Sequence, residues 1–317
     1  MHVLIDWLRP TLKWWDKMQG VLNIIKPPHM TSHDVVAIAR RSLGTKKIGH
    51  TGTLDPMAAG VLPICIGRAT KIVELIQEDK KTYRCEITLG AVTDTQDVWG
   101  QILETSSVEG ITEEDVKEVI KSFIGEIDQI PPMFSALKVN GKKLYELARE
   151  GVTVERKSRR RTIFNIVFIK MIDNKVWLDV ECSKGTYIRT LCHDIGAKLG
   201  CGAYMSFLLR TATGIFTLDN GISVEKLQTF KTEPNLIGEH MLSVDEALCA
   251  LPRGVVPKAL ESKLRNGVRI DLAKFCNPEE MRIDQLVRIY IEEEFLGIAK
   301  CRAVQPLEVK MEKLFNI

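Results

Sequence analysis

The feature that most constrains the fold is a hairpin in the middle of the chain. Two β-rich segments, 163–169 and 176–182, are separated by Asp173 and Asn174, and these two residue types favour a tight turn between strands. Further upstream, segment 83–89 alternates apolar and polar residues, which predicts a strand buried on one face. Because strands pair locally more often than they alternate with crossover helices, we predict the α+β class with a mixed or antiparallel sheet.

Helices are indicated by capping residues and by apolar spacing. One begins at Thr31-Ser32 and ends before Gly44, because glycine readily adopts the left-handed conformation that closes a helix. A second follows Thr112, where the next acids resemble a capping box. A third follows the break at Gly185. Shorter helices are predicted over 69–77 and 142–149.

Composition excludes several classes of protein. The 317 residues are 45% hydrophobic and 27% charged with a net charge of +3, which is ordinary for a folded chain of up to two domains. No apolar run reaches the roughly 18 residues of a membrane span. The eight cysteines contain no CxxC pair, which excludes a zinc ribbon. We therefore expect buried thiols in a reducing cytoplasm and no metal site.

The Gly- and Thr-rich loop 49–60 is the main candidate for a chemical site. It holds a single acid, Asp55, followed by Pro56, and proline keeps the preceding residue on an extended, stiff backbone. A P-loop is excluded because no Lys-Ser or Lys-Thr follows the second glycine. A haloacid-type nucleophile would need a second aspartate where Met57 stands. A structural turn in which Asp55 caps the next segment stays open as the alternative.

An aspartate nucleophile needs placement rather than a base, because its carboxylate is already ionised near pH 7. Arg189 follows Gly185 in the first turn of a helix, faces away from the apolar stripe and is a candidate partner for Asp55. An arginine at such a position is also commonly just solvated. Tyr83 begins the apolar face of its strand, where it is either a core aromatic or a stacking surface for a base.

Basic residues form four clusters on a chain of nearly balanced charge. Each cluster alone would be an ordinary solvated surface, but together they favour a phosphate-binding surface. The clusters are Lys46-Lys47, Lys80-Lys81, Lys138 with Lys142-Lys143, and Arg156-Lys157 with Arg159-Arg160-Arg161.

Four motifs occur in order between Gly20 and about Gly214. They are Lys26-Pro27 with Thr31-Ser32; Gly49 to Gly60 with Gly67-Arg68-Ala69-Thr70-Lys71; Pro131-Pro132, Ser135-Ala136, Lys138, Gly141 and Tyr145 to Gly151; and Cys182 to Leu191. With these motifs the chain resembles the TruB family of tRNA pseudouridine synthases. The first motif resembles the family's KPxGxTS, with His29 where the family usually has glycine. One motif would be suggestive, and four in order are very specific.

The resemblance implies roles for the matching residues. Asp55 falls on the nucleophile, Tyr83 on the tyrosine that stacks on the target base, and Arg189 on the arginine that pairs with the aspartate. The other matches, which contact the flipped nucleotide or lie near the site, are His50, Tyr187, Leu208 and Lys71. The implied reaction is isomerisation of uridine 55 in the T-loop of tRNA, which needs neither a cofactor nor a metal.

Three regions are expected. Residues 1–18 differ from the rest and are interpreted as a non-native extension from a mis-assigned start codon, with a short amphipathic appendage as the alternative. Residues 19–250 would be the catalytic domain, and 251–317 a β-rich, PUA-like RNA-binding domain that begins with a linker at 252–257. The expected partner is the tRNA T stem-loop, bound by a cytoplasmic monomer without a membrane or a protein partner.

Two other functions are compatible with this scaffold. One is a catalytically silent RNA-binding or tRNA-folding protein, which would be favoured if Asp55 or Arg189 were missing. The other is a synthase of the same family that acts on guided RNA with protein partners. That version usually carries long charged tails, which this sequence lacks.

Overall fold

The computed structural model describes residues 18–78, 80–139, 141–277, 281–302 and 308–315. The predicted N-terminal extension, apart from Met18, lies outside them. The strands are β1 (Gly20–Lys26), β2 (Ile48–His50), β3 (Ala59–Ile66), β4 (Lys81–Leu89), β5 (Ala91–Thr93), β6 (Ile102–Thr105), β7 (Gly125–Gln129), β8 (Lys138–Val139), β9 (Lys142–Lys143), β10 (Arg159–Ile172), β11 (Lys175–Cys182), β12 (Ala203–Thr213), β13 (Phe216–Thr217), β14 (Ile222–Ser223), β15 (Met241–Leu242), β16 (Arg253–Val256), β17 (Ile270–Asp271), β18 (Leu286–Ile291), β19 (Glu294–Arg302) and β20 (Glu308–Leu314).

The helices connect these strands and cover the sheets. Short 3-10 segments accompany them at Gly67–Ile72, Pro234–Glu239, Lys258–Leu260 and Leu272–Lys274. The α-helices are α1 (Ser32–Leu43), α2 (Val73–Gln77), α3 (Glu113–Lys121), α4 (Leu144–Arg149), α5 (Ile188–Leu199), α6 (Val224–Thr229), α7 (Val244–Ala247) and α8 (Glu261–Arg265). Across the described ranges, no helix combines the length and the apolar character that a membrane crossing requires.

A mixed sheet of eleven strands organises the larger part of the molecule. Its order is β14-β1-β3-β12-β4-β11-β10-β7, and β15, β2 and β13 pair with β1, β3 and β12. Only β14 with β1 and β12 with β3 are parallel among the described pairs of this sheet. The predicted hairpin forms from β10 and β11, with Asp173 at a φ of 53° in the turn. The α+β class is confirmed.

Helix α1 shows how local signals become packing. The Thr31 side chain caps its first turn in a capping box with Asp34, and Gly44 closes it at a φ of 64°. Its buried side, which includes Val35, Ala39 and Leu43, joins the main core of the sheet. The predicted start and end of this helix are confirmed, and they place its N-terminus beside the loop that carries Asp55.

Strand β4, which lies between β12 and β11, departs from the predicted alternation because side chains of both neighbouring strands cover its polar face. Glu86 and Thr88 were predicted to be exposed, but both are buried. Glu86 accepts hydrogen bonds from Lys175 and Ser206 on the two neighbouring strands. Cross-strand polar partners therefore satisfy a carboxylate that the one-sided pattern assigned to solvent.

The C-terminal region is β-rich, as predicted, but the proposed linker is wrong. Residues Arg253–Val256 form β16, which pairs in parallel with β18. The complete order of this second sheet is β16-β18-β19-β20-β17. The prediction failed because the partner strand β18 is distant in sequence. The backbone at Gly254 fits closely against the side chains of Met281 and Val287.

The two sheets share a hydrophobic cluster. Phe295 and Phe315 from the C-terminal region lie in the same cluster as Val61 and Ile72 from the larger part. Polar contacts lie beside this hydrophobic cluster. Arg288 and the Tyr290 hydroxyl, both on β18, donate hydrogen bonds to one carboxylate oxygen of Asp245 on α7. The C-terminal sheet is therefore docked on the rest of the molecule.

The eight cysteines fall into two groups. Cys249 and Cys276 are exposed, and the other six are buried. Burial raises the pKa of the Cys65 and Cys182 thiols to about 12 in each case. The prediction of buried thiols holds for those six, and the raised pKa keeps the Cys65 and Cys182 thiols protonated at neutral pH.

Candidate active site

The loop between β2 and β3 presents Asp55 on a backbone tied to the start of α1. Pro56 accepts a 2.8 Å hydrogen bond from the His29 N–H, and the Ser32 hydroxyl accepts one of 2.9 Å from the Leu54 N–H. His29 adopts a φ of 63°, the left-handed conformation that glycine favours. The loop is fixed on both sides of Asp55, whose side chain remains 38% exposed.

Arg189 holds this carboxylate from within the protein. Its Nε lies 2.9 Å from Asp55 Oδ2, in an ion pair that is not aligned as a hydrogen bond. Its Nη1 donates to the Thr95 carbonyl at 3.0 Å, and its Nη2 donates to the Phe134 carbonyl at 2.9 Å. Its side chain is only 5% exposed, so the alternative of a solvated arginine is wrong. Its guanidinium is locked toward Asp55.

Asp97 is a second acid in this group and was missed by sequence analysis. Its Oδ2 lies 3.5 Å from Arg189 Nη1. Its Oδ1 accepts hydrogen bonds from the Thr95 hydroxyl and the Trp99 N–H. Asp97 is buried, and only the acid- and glycine-containing turn around it gave a signal in the sequence. Two carboxylates therefore share one guanidinium, and only Asp55 is accessible.

Lys26 supplies a further positive charge beside the loop. It is fully buried, and its Nζ donates to the carbonyls of Pro27 at 2.9 Å and Met30 at 2.7 Å. Burial lowers the pKa of Lys26 to about 8, and the attraction of Asp55 acts in the opposite direction. The side chain is therefore mainly charged at pH 7. The sequence marked Lys26 as part of a motif without assigning it this place.

Tyr83 lies on β4 with Arg210 as its register partner on β12. Burial raises the pKa of the Tyr83 hydroxyl, and the adjacent Arg210 partly opposes this increase. Asp55 is close enough to act on the same pKa. Tyr83 is thus an uncharged phenol at neutral pH, within electrostatic range of the carboxylate.

Arg210 connects Tyr83 with the two ends of the loop. It is among the largest fully buried side chains of the described residues. Its Nε donates to the Val61 carbonyl at 2.7 Å, and its Nη2 donates to the Gly52 carbonyl at 3.2 Å. These contacts span about 150 residues of sequence, so no local pattern could have revealed them.

His50, Tyr187 and Leu208 belong to elements that carry or adjoin members of this group. His50 ends β2, where burial, followed by the charges of His33 and Arg210, lowers its pKa to about 4. Tyr187 caps α5, and its backbone N–H and carbonyl bond to the Gln129 amide. Leu208 is buried on β12, two residues before Arg210.

Lys71 is not brought to this group. Its Nζ donates to the Leu314 carbonyl at 3.2 Å and lies 5.7 Å from the centre of the Phe315 ring. It lines a separate concavity of about 530 Å³ at the contact with the C-terminal sheet, which Asp55 does not line. The candidate active site is therefore defined by the charge contacts of Asp55 and not by the size of a cavity.

Comparison with known proteins decides the family. The model described as TruB family pseudouridylate synthase (N terminal domain) matches residues 40–188, and that of the tRNA pseudouridylate synthase B C-terminal domain matches 189–249. The tRNA pseudouridine synthase B of Alkaliphilus oremlandii is 50% identical over 285 residues, which cover 90% of this chain and 94% of that protein. The chain belongs to the TruB family of tRNA pseudouridine synthases.

Further relatives agree with this assignment. The tRNA pseudouridine synthase B of Clostridioides difficile is 44% identical over 94% of this chain and 100% of its own length. Among solved structures, a Cbf5-Nop10-Gar1 complex contains a chain with a TM-score of 0.74 and 27% identity, covering 97% of this chain and 88% of that one. A chain of an H/ACA RNP bound to a substrate RNA with 2′-deoxyuridine has a TM-score of 0.72 and 25% identity. The match covers 98% of this chain and 88% of that one.

Proposed function

We propose that this TruB-family isomerase converts uridine 55 in the T-loop of tRNA to pseudouridine, with Asp55 as its nucleophile. The observation that carries the proposal is the Asp55–Arg189 pair. One partner is buried and locked by several contacts, whereas the carboxylate is still 38% exposed. Such a carboxylate can attack an electrophilic carbon without a general base, provided that it is held in position.

The target nucleotide must leave its stack before it can reach Asp55. Flipping costs a few kcal/mol, which stacking on Tyr83 and contacts with phosphates would offset. Asp55 then attacks either the ribose C1′ or the uracil ring, and the bond from C1′ to N1 is replaced by one to C5. His50, Tyr187 and Leu208 would contact the flipped nucleotide. Arg189 would keep the carboxylate oriented throughout.

Isomerisation also moves a proton, since C5 loses hydrogen and N1 gains it. The Tyr83 hydroxyl is one group that could accept the C5 proton. Its raised pKa argues against that role, because a neutral buried phenol donates hydrogen bonds more readily than it accepts a proton. We therefore assign Tyr83 to stacking. Tyr83→Phe should retain most of the turnover, and loss of turnover in a uridine-conversion assay would return the hydroxyl to the chemistry.

Phosphate binding is proposed for the lysine-lined concavity near the C-terminal sheet. Glu74 is the one acid among the residues that line it, so the surface is complementary to an RNA backbone. Lys71 would thus bind substrate at a distance from Asp55. The four lysines that line the concavity are Lys46, Lys47, Lys71 and Lys313.

The same proposal divides the chain into functional units. We assign residues 19–250 to catalysis and 251–317 to a PUA-like RNA-binding unit, on the basis of the second sheet. We further propose that the enzyme acts as a monomer in the cytoplasm. The tRNA itself would supply the large interface, without a cofactor, a metal or a protein partner.

Replacement of Asp55 by asparagine tests the proposal. The Asp55→Asn variant keeps the shape of the side chain and should bind a T stem-loop RNA while losing isomerisation, which mass spectrometry of the RNA detects. Asp179→Asn is the matched control, because Asp179 also pairs with an arginine, Arg84, but both of these side chains are partly exposed, 30% and 46%. Conversion by the Asp55→Asn variant would refute the nucleophile.

The same assay tests a second candidate function, the modification of guided RNA together with protein partners, which the likeness to H/ACA RNP structures favours. The assay mixture contains only pure protein and a stem-loop RNA. Conversion of the wild-type mixture would show that neither a guide nor a protein partner is needed. Failure of the wild type to convert any uridine in this RNA would overturn the proposed substrate.

A further inference from the structure

An exposed aromatic pair lies on the rim of the candidate active site. The rings of His29 and Trp99 are stacked, with centroids 5.6 Å apart and planes inclined by 19°. Trp99 remains 51% exposed despite this contact. Val98, Ile102 and Leu103, which lie near Trp99 in sequence, are also exposed apolar residues.

Two separate sets of hydrogen bonds and ionic contacts link this pair to Asp55 and Arg189. The His29 N–H donates to the carbonyl of Pro56, the residue after Asp55. The Trp99 N–H donates to Asp97, whose other oxygen contacts Arg189. Both aromatic rings are thus carried on the backbone segments that position the candidate nucleophile and its arginine. The pair is continuous with the proposed site.

The backbone at His29 indicates that the ring itself matters. Its φ of 63° lies in the left-handed region, which favours glycine. Glycine would adopt this conformation without strain but could not cover Trp99. The backbone at His29 is therefore strained, and the His29 imidazole nevertheless stays stacked on the exposed Trp99 indole.

We propose that the His29–Trp99 pair is a second stacking surface, which binds an unpaired base of the RNA next to the nucleotide that reaches Asp55. This inference rests on the proposed function. Stacking on aromatic side chains is the usual way to hold unstacked bases, because every base has a π face. The pair would hold a neighbouring base while the target base occupies Tyr83.

Tryptophan fluorescence and RNA affinity test the proposal. Trp177 provides a matched control, since it also contacts an aromatic ring, Phe207, at 5.4 Å. It pairs with Glu86 on β4, on the opposite face of the strand from Tyr83. A T stem-loop RNA should quench Trp177→Phe as it does the wild type, and should quench Trp99→Phe much less. Trp99→Ala should weaken RNA binding by roughly 5- to 100-fold, and Trp177→Ala by less than about two-fold.

Single abasic nucleotides in the RNA identify the base. When the stacked base is already missing, Trp99→Ala should cause no further loss of affinity, whereas the two losses should add at other positions. Undiminished quenching in Trp99→Phe, or unchanged affinity in Trp99→Ala, would overturn the stacking surface. Conversion of the same RNA by the wild type is measured in parallel. If conversion occurs without any Trp99 effect, the stacking surface fails and the proposed function stands.

Discussion

Arg189 and Arg84 each pair with an aspartate, yet their surroundings make the two pairs unequal. Arg84 binds Asp179 through hydrogen bonds of 2.8 and 2.7 Å on an exposed surface, and such pairs contribute about 0–1 kcal/mol. Arg189 is buried and contacts two carboxylates and two carbonyls. Lysine can replace the charge of Arg189 but cannot reproduce the planar fork that reaches all four.

Arg189→Lys should therefore lower kcat by at least about 100-fold, because a displaced carboxylate loses its attacking geometry. It should also lower the free energy of unfolding by up to about 3 kcal/mol, since Asp97 loses contacts in a buried place. Arg84→Lys should change both quantities little. Steady-state kinetics and urea denaturation measure the difference, and equal behaviour of the two variants would contradict the locked-guanidinium interpretation.

His50 gives a prediction for pH. Its pKa falls from 6.5 to about 4 in the folded protein. Between pH 6.5 and pH 4, His50 is therefore protonated in the unfolded chain but mostly neutral in the folded protein. Stability is retained near pH 7 and is lost as the pH falls from about 6.5 towards 4. His50→Gln should lose less stability between pH 7 and pH 5 than the wild type, by roughly 1 kcal/mol after allowance for partial exposure. Denaturation at the two pH values tests this difference.

At the scale of elements, the loop that carries Asp55 ends where β3 meets β12. Gly60 pairs with Arg210 in this parallel contact and has a φ of 110°. A Cβ at Gly60 would lie 2.2 Å from the Arg210 carbonyl oxygen. Only glycine allows the loop end to approach β12 so closely, and the buried Arg210 side chain then bonds to the loop.

Gly60→Ala should be strongly destabilising, by about 3–5 kcal/mol, because the backbone strain and the contact with Arg210 act together. Gly110→Ala isolates the strain, since Gly110 has a φ of 82° and a Cβ there would meet nothing within 4 Å. It should cost about 1–2 kcal/mol. Thermal unfolding compares the two. Equal losses would show that the close approach at Gly60 is unimportant.

Elements with local signals were the most predictable. The Thr31 cap, the Gly44 end and the hairpin at Asp173 depend on neighbouring residues, and the structure contains each of them. Strand β16 was taken for a linker because its burial comes from a second sheet. The two-sided burial of β4 likewise depends on neighbours supplied by distant parts of the chain.

The site followed the same rule. The sequence indicated Asp55 through its Gly-rich loop and motif, and the structure places Arg189 beside it. Asp97 and Arg210 were missed because their roles arise from contacts between residues far apart in sequence. Lys71 was expected near Asp55 but contacts Leu314. The motif therefore identified Lys71 as a residue of interest but did not give its position relative to Asp55.

At the scale of the whole molecule, the two sheets are joined by a common cluster. Phe315 is 2% exposed and stacks on Phe295 at 5.9 Å in the cluster that also contains Val61 and Ile72. Stability of the C-terminal sheet is therefore coupled to that of the larger sheet. We therefore expect the charged group around Asp55 and the lysine-lined concavity at the C-terminal sheet to be lost together when the shared cluster is disrupted.

Phe315→Ala should lower the free energy of unfolding by about 3–5 kcal/mol, the usual cost of removing a buried aromatic ring. Phe164→Ala is the control, because Phe164 is 39% exposed and its contact with Lys80 is worth about 1 kcal/mol or less. Calorimetry records both changes. A Phe315→Ala protein as stable as the control would mean that the two sheets are only loosely associated.

The distribution of thiols has a practical consequence. Cys249 and Cys276 are exposed, one just after α7 and the other in the C-terminal region, while the remaining six are shielded. A maleimide dye or spin label would therefore react selectively at these two positions without any engineering. Labels on Cys249 and Cys276 would allow changes in the distance between the larger part of the molecule and the C-terminal region to be measured.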